Sequence, residues 1–221
     1  MKRRTKTNFI VAGSLLLLFL LWTMAIQYVD VQAIGPENSK VGFATLNGWF
    51  HELTGVHMLL YNITDWLGFV PIFIVLGFAL LGLVQLIKRR SLLKVDVDIL
   101  VLGGFYVIVL MAYVAFEIFV INYRPILIDG SLEASYPSST TLMVMCVMPT
   151  ALMQLNERVK THSLGKCLAI LILVFTTFMV IGRLISGVHW FTDIVGGALL
   201  SAGLVMLYYA LVNLRVQTVS K

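Results

Sequence analysis

The chain has 221 residues, 59% of them hydrophobic and only 12% charged, with a net charge of +5. Soluble domains are about one quarter charged, so this composition excludes an ordinary water-soluble domain and a disordered chain, both of which need far more polar surface. It predicts an all-α, polytopic membrane protein: at about 20 residues per span, six spans fill most of the chain and leave one membrane domain over residues 1–221.

The first apolar run, residues 9–29, follows a basic segment, Met1 to Lys6. At about 20 residues it exceeds the ~7–15 of a signal-peptide core and reads as an uncleaved first span. Residues 30–67 mix polar and aromatic side chains. Within them Trp49, Phe50, Leu53, Val56, Leu59 and Leu60 recur at helical spacing, which predicts an amphipathic helix at the interface between spans one and two. Further spans are expected at 68–87, 99–120, 139–155, 168–185 and 194–214. Cys146 and Cys167 have neither metal-type spacing nor a disulfide framework and read as packing residues.

Basic residues collect on the cytoplasmic side of membrane proteins. With the amino terminus inside, six spans place thirteen of the sixteen Lys and Arg residues in inner segments, and only Lys40, Arg124 and Arg183 outside. This distribution predicts a cell-membrane protein with both termini in the cytoplasm. It also turns the positive net charge into a sign of topology rather than of a nucleic-acid partner.

Arg124 and Arg183 stand at the outer ends of spans three and five, and His189 and Asp193 follow before span six. Ionisable groups at membrane depth are costly and mark functional sites. A four-residue spacing sets His189 and Asp193 on one helix face, where the carboxylate orients one imidazole nitrogen and leaves the other free as nucleophile or base. Two guanidiniums offer forks to phosphate oxygens, and together the four residues suit phosphoryl transfer. A metal site fits less well, since ligands are few and the guanidiniums repel a cation. The turn Tyr136-Pro137-Ser138-Ser139-Thr140-Thr141 reads both as a helix N-cap and as an anion site at a helix N-terminus.

The order of these residues resembles the type-2 phosphatidic acid phosphatase superfamily of integral membrane lipid phosphatases. That family carries Lys, six residues, Arg-Pro; then Pro-Ser-Gly-His; then Ser-Arg, five residues, His, three residues, Asp. Here Arg124-Pro125 matches the end of the first motif and Pro137-Ser138 the start of the second. Arg183, His189 and Asp193 match the third with its spacing intact. The resemblance implies that His189 is the nucleophile forming a phosphohistidine, that Asp193 orients it, and that Arg124, Arg183, Ser138 and Ser139 hold the phosphate. It implies a metal-independent phosphatase with no cofactor, acting on a lipid phosphate or diphosphate at the outer leaflet.

Three positions depart from the family. Its first lysine falls at Glu117, its acid histidine at Thr140 and its third-motif serine at Gly182. A threonine hydroxyl is a poor general acid, and losing a positioned acid costs about 10²–10⁴-fold. A diphosphate expels phosphate, a weak base, so a substrate such as a polyprenyl diphosphate needs that acid least. Alternatively, Asp129, Glu133, His51, His57 or Glu117 supplies the proton, although Glu117 also has the spacing to pair with Arg124. The competing reading is a relative that binds lipid phosphate headgroups without hydrolysis. A channel has less support, because spans one, two, five and six carry few ionisable groups in their middles.

Overall fold

The computed structural model describes residues 3–159 and 161–219. Of the basic residues used to orient the chain, Lys2, Lys160 and Lys221 lie outside the described residues, as do the side chains of Arg3, Arg4 and Arg215. The α-helices of the described residues are α1 Arg3–Tyr28, α2 Ala44–Thr54, α3 Met58–Leu67, α4 Phe69–Arg89, α5 Val97–Ile118, α6 Ser139–Arg158, α7 His162–Ile185 and α8 Phe191–Val219. Extended pairing is confined to isolated bridges in the loops before α2 and before α6.

Among the described residues, five helical stretches are long and apolar enough to cross a membrane: Thr5–Tyr28, Met58–Arg89, Val97–Ile118, His162–Ile185 and Phe191–Leu214. The protein is therefore a multi-pass membrane protein. Their exposed faces carry the large apolar side chains, such as Leu17 and Leu20 on α1, Phe73 and Leu80 on α4, and Leu171 and Leu173 on α7. A bilayer favours such faces because it leaves no apolar surface in water.

α6 is built differently. It packs against α4, α5, α7 and α8 and buries Thr141, Leu142, Val144, Cys146, Val147, Met148, Thr150, Ala151 and Gln154. Surrounded by protein, it bonds several of its polar groups internally. Thr150 lies 3.2 Å from the Tyr106 hydroxyl, and Gln154 donates to the Tyr208 hydroxyl at 2.8 Å. This accounts for its low apolarity, because a helix that faces protein needs no lipid-compatible surface.

The segment between α1 and α4 departs from a continuous amphipathic helix. α2 stops at Gly55, whose φ of +66° no longer permits the helix, and Val56 and His57 lie between α2 and α3. α3 then runs almost directly into α4 at Gly68. The third predicted span ends two residues early, at Ile118, where Phe119 leaves the helical region.

Gly187 shapes one end of the bundle. Its φ is +70°, and a Cβ there would stand 1.9 Å from the Gly55 carbonyl oxygen. The turn after α7 thus packs backbone to backbone against the α2–α3 break, and His57 N–H donates to Ser186 O at 2.9 Å. Gly187→Ala adds both strain and a clash, and is expected to cost about 2 kcal/mol or more, read as a lower thermal midpoint in detergent.

Candidate active site

The site forms where five segments meet at one end of the bundle. The loop from Phe119 to Ser138 folds back on itself through backbone bonds, Arg124 N–H to Glu133 O at 3.0 Å and Ser135 N–H to Asn122 O at 2.9 Å. Asn122, Arg124 and Ser135 are thereby fixed beside one another. Ser138 opens α6 as its N-cap, its hydroxyl accepting from Thr141 N–H at 3.4 Å. Its own N–H donates to Asp193 O at 3.1 Å, tying α6 to the first turn of α8.

His189 does not share a helix face with Asp193, as the spacing alone suggested. It sits in the turn before α8, while Asp193 lies in the first turn of that helix. Nδ1 is 3.8 Å from Asp193 Oδ2, and Ser135 joins the two. Its hydroxyl is 3.1 Å from Nδ1 and donates to Asp193 Oδ2. With that proton committed to the carboxylate, Ser135 Oγ accepts from Nδ1–H, and the lone pair remains on Nε2. Asp193 also accepts from Trp190 N–H at 2.8 Å and from Asn122 Nδ2 at 3.4 Å. All of these groups are buried, where a fully bonded network is rigid.

The guanidiniums flank this group. Arg183 is 2% exposed, donating from Nε to Thr140 Oγ1 at 3.0 Å and from Nη2 to Asp65 Oδ1 at 3.1 Å. Arg124 Nε pairs with Glu133 Oε2 at 3.0 Å. The Tyr61 ring faces both cations, 4.7 Å from Arg183 Cζ and 5.8 Å from Arg124 Cζ, an arrangement that offsets their mutual repulsion. His189 Nε2, Arg124 Nη1 and Arg183 Nη1 are buried without a protein partner. Two donors and a nucleophilic lone pair in one buried cluster suit an anion with an electrophilic centre.

Burial, then the charges of Arg124 and Arg183, hold the His189 imidazole well below its ordinary pKa. It is therefore neutral and nucleophilic at physiological pH. A lowered folded pKa means the unfolded chain takes up the proton first. The stability gained from keeping His189 neutral is complete above about pH 6.5 and is lost as the pH falls from there toward the folded value. The thermal midpoint should therefore drop between about pH 7.5 and about pH 5.5, and drop less in His189→Gln.

The structure gathers Arg124, Arg183, His189, Asp193, Ser138, Ser139 and Thr140 into this region, but in varied surroundings. Ser139 lines a small cavity with His189 and Glu117. Glu117 does not pair with Arg124, because α5 has ended by then and Glu133 takes that partner. Asp129 is an exposed residue at the loop tip, His51 packs against the Trp190 ring, and His57 Nε2 lies 2.8 Å from Thr54 O. Motif reading missed Ser135, Asn122, Tyr61 and Asp65. The signal available for the last two was their four-residue spacing, which puts them on one face of α3.

An all-helical membrane bundle with an oriented imidazole between two buried guanidiniums defines the class. Residues 118–217, which carry most of this site, match the PAP2 superfamily. A crystal structure of a transmembrane PAP2-type phosphatidylglycerolphosphate phosphatase from Bacillus subtilis shares the fold. Its TM-score is 0.66 and its identity 18%, over 92% of this chain and 96% of that one. No curated protein sequence matches the chain significantly.

Proposed function

We propose that this chain is a membrane lipid phosphatase or phosphotransferase that works through a phosphohistidine on His189. The observation that carries the reading is the buried, unpartnered trio of His189 Nε2, Arg124 Nη1 and Arg183 Nη1. In the proposed reaction, Nε2 attacks phosphorus, the guanidiniums bind the equatorial oxygens, and Ser139 at the N-terminus of α6 supports the phosphate. Asp193 and Ser135 balance the positive charge that develops on the imidazole. The superfamily match over residues 118–217 supports a phosphatase in general.

The lipid character of the substrate is supported by an apolar groove of about 860 Å³ between α4, α5 and α6. It is lined by side chains such as Leu76, Val107 and Leu110, which are exposed on the outside of the bundle. It also includes Tyr113 and Ser139, which border the cavity holding His189. A tail entering from the bilayer along this groove brings its headgroup to the phosphate site.

In this reading residues 1–221 form one domain and α6 is the fourth of six spans. Its 20 residues at about 1.5 Å each match a hydrocarbon core of about 30 Å. The thirteen-to-three division of basic residues then supports cytoplasmic termini and a site at the outer leaflet. The second reading, a relative that binds lipid phosphate without hydrolysis, draws on Thr140 and Glu117, and on the carboxylates that already pair with both guanidiniums.

Purified protein in detergent with EDTA should release phosphate from a polyprenyl diphosphate faster than from phosphatidic acid, and His189→Ala should abolish both. Equal rates for wild type and His189→Ala would favour the binding-only reading. Ser135→Ala is expected to lower kcat by about 10–100-fold with little change in KM, because it frees the tautomer and ring orientation without touching the phosphate donors. Thr140→His should raise phosphatidic acid turnover relative to the diphosphate, measured as the ratio of the two kcat/KM values.

A further inference from the structure

We infer that Asp65 carries the proton on the leaving-group side of phosphorus, the task for which position 140 offers only a threonine hydroxyl; this rests on the phosphatase reading above. The argument is geometric. An in-line displacement places the proton donor opposite the nucleophile. His189 and Glu117 border one small cavity together with Ser139 and Tyr113. Asp65 and Thr140 border a second cavity, of about 200 Å³, and Ser139 and Tyr113 line that one too. The N-terminus of α6 thus stands between the imidazole on one side and Asp65 on the other. Glu117 lies on the nucleophile's side, where a leaving group cannot depart.

Asp65 is also bound to position 140 through a single guanidinium. Arg183 reaches Thr140 with Nε and Asp65 with Nη2. The Asp65 side chain is 54% exposed. Its approach depends on Gly182, where the family motif has serine. A Cβ at 182 would meet Thr64 Cγ2 at 2.7 Å and Leu60 Cδ1 at 3.6 Å. The absent side chain lets α3 lie close against α7 at Thr64, the residue before Asp65. Two departures from the motif, at 140 and 182, therefore converge on the same carboxylate.

The chemistry balances with no further reactant. An alkyl phosphate monoanion brings one proton, which passes to Asp65 when the phosphate takes over its contact with Arg183. His189 Nε2 bonds to phosphorus as the bond to the alkyl oxygen breaks, and that oxygen leaves with the proton from Asp65 as a neutral alcohol. Water then attacks the phosphohistidine from the vacated side and gives a proton to the Asp65 carboxylate. The P–N bond breaks and its electron pair returns to Nε2. The products are one alcohol and one phosphate that regains the proton.

The test compares an alkyl phosphate, lysophosphatidic acid, with p-nitrophenyl phosphate, whose leaving group departs without protonation. It uses the full chain in detergent and reads kcat/KM, which covers the steps through release of the alcohol. Asp65→Asn is expected to lose about 100-fold or more on the alkyl phosphate and less than about tenfold on the aryl phosphate. Acid-labile phosphoenzyme should accumulate from the latter. Gly182→Ser, which displaces α3, should show the same selectivity. Equal losses on both substrates would reduce Asp65 to a partner of Arg183 and overturn the assignment. A leaving-group-dependent loss in Glu117→Gln, with none in Asp65→Asn, would overturn it in favour of Glu117. Absence of turnover by the wild type on both substrates would sink the phosphatase reading itself and the assignment with it.

Discussion

Two guanidiniums and an imidazole are buried together at one end of an apolar helical bundle, and the local architecture follows from the cost of keeping them there. Charges taken out of water need partners of excellent geometry, and like charges side by side need still more. The fold meets this demand from several segments at once. Thr140 and Asp65 bond Arg183, Glu133 pairs with Arg124, and Tyr61 sets its ring against both. Guanidinium nitrogens without a hydrogen-bond partner remain on both, Nε and Nη1 of Arg124 and Nη1 of Arg183, so the cations are held in place without being used up.

The same requirement orders the backbone. The turn after α7 fits because Gly187, with no Cβ, lets its backbone meet the Gly55 carbonyl. The cap of α6 is tied to α8 through Ser138 and Asp193, and the cap of α8 to α2 through Asn47, whose side-chain oxygen accepts from Thr192 N–H at 3.2 Å. α6, ringed by other helices, brings its N-terminus to the centre of the site. A helix in that position cannot also be the most apolar in sequence, since it must carry the polar groups that link its neighbours. The structural cost of the central position and the chemical use proposed for the helix terminus therefore meet in one element.

The substitutions relative to the family motif acquire meaning in this setting. Read singly, Gly182 and Thr140 are losses. In the folded chain Gly182 admits α3 against α7, and Thr140 accepts the bond from Arg183 that aligns it with Asp65. Glu117 remains beside the imidazole on the far side of Ser139, in a different role from the lysine of the motif. The change of charge there goes with a loop in which Glu133, and not Glu117, pairs with Arg124.

Much of this was legible in the chain itself. The scarcity of charge sets the all-helical membrane class, because apolar runs of span length have no stable place in water. The spacing of Arg183, His189 and Asp193 marks the candidate site, because ionisable groups are costly at membrane depth. What the sequence leaves undecided is whatever depends on contacts distant along the chain. Ser135 joins His189 to Asp193 across more than fifty positions, and Asp65 meets Arg183 across more than a hundred. No local periodicity encodes such pairs. The break at Gly55 has the same origin, since helical spacing runs through Val56, but the close approach of Gly187 decides the backbone there. Local pattern determined which residues are costly to bury; packing between distant segments decided which partners make their burial possible.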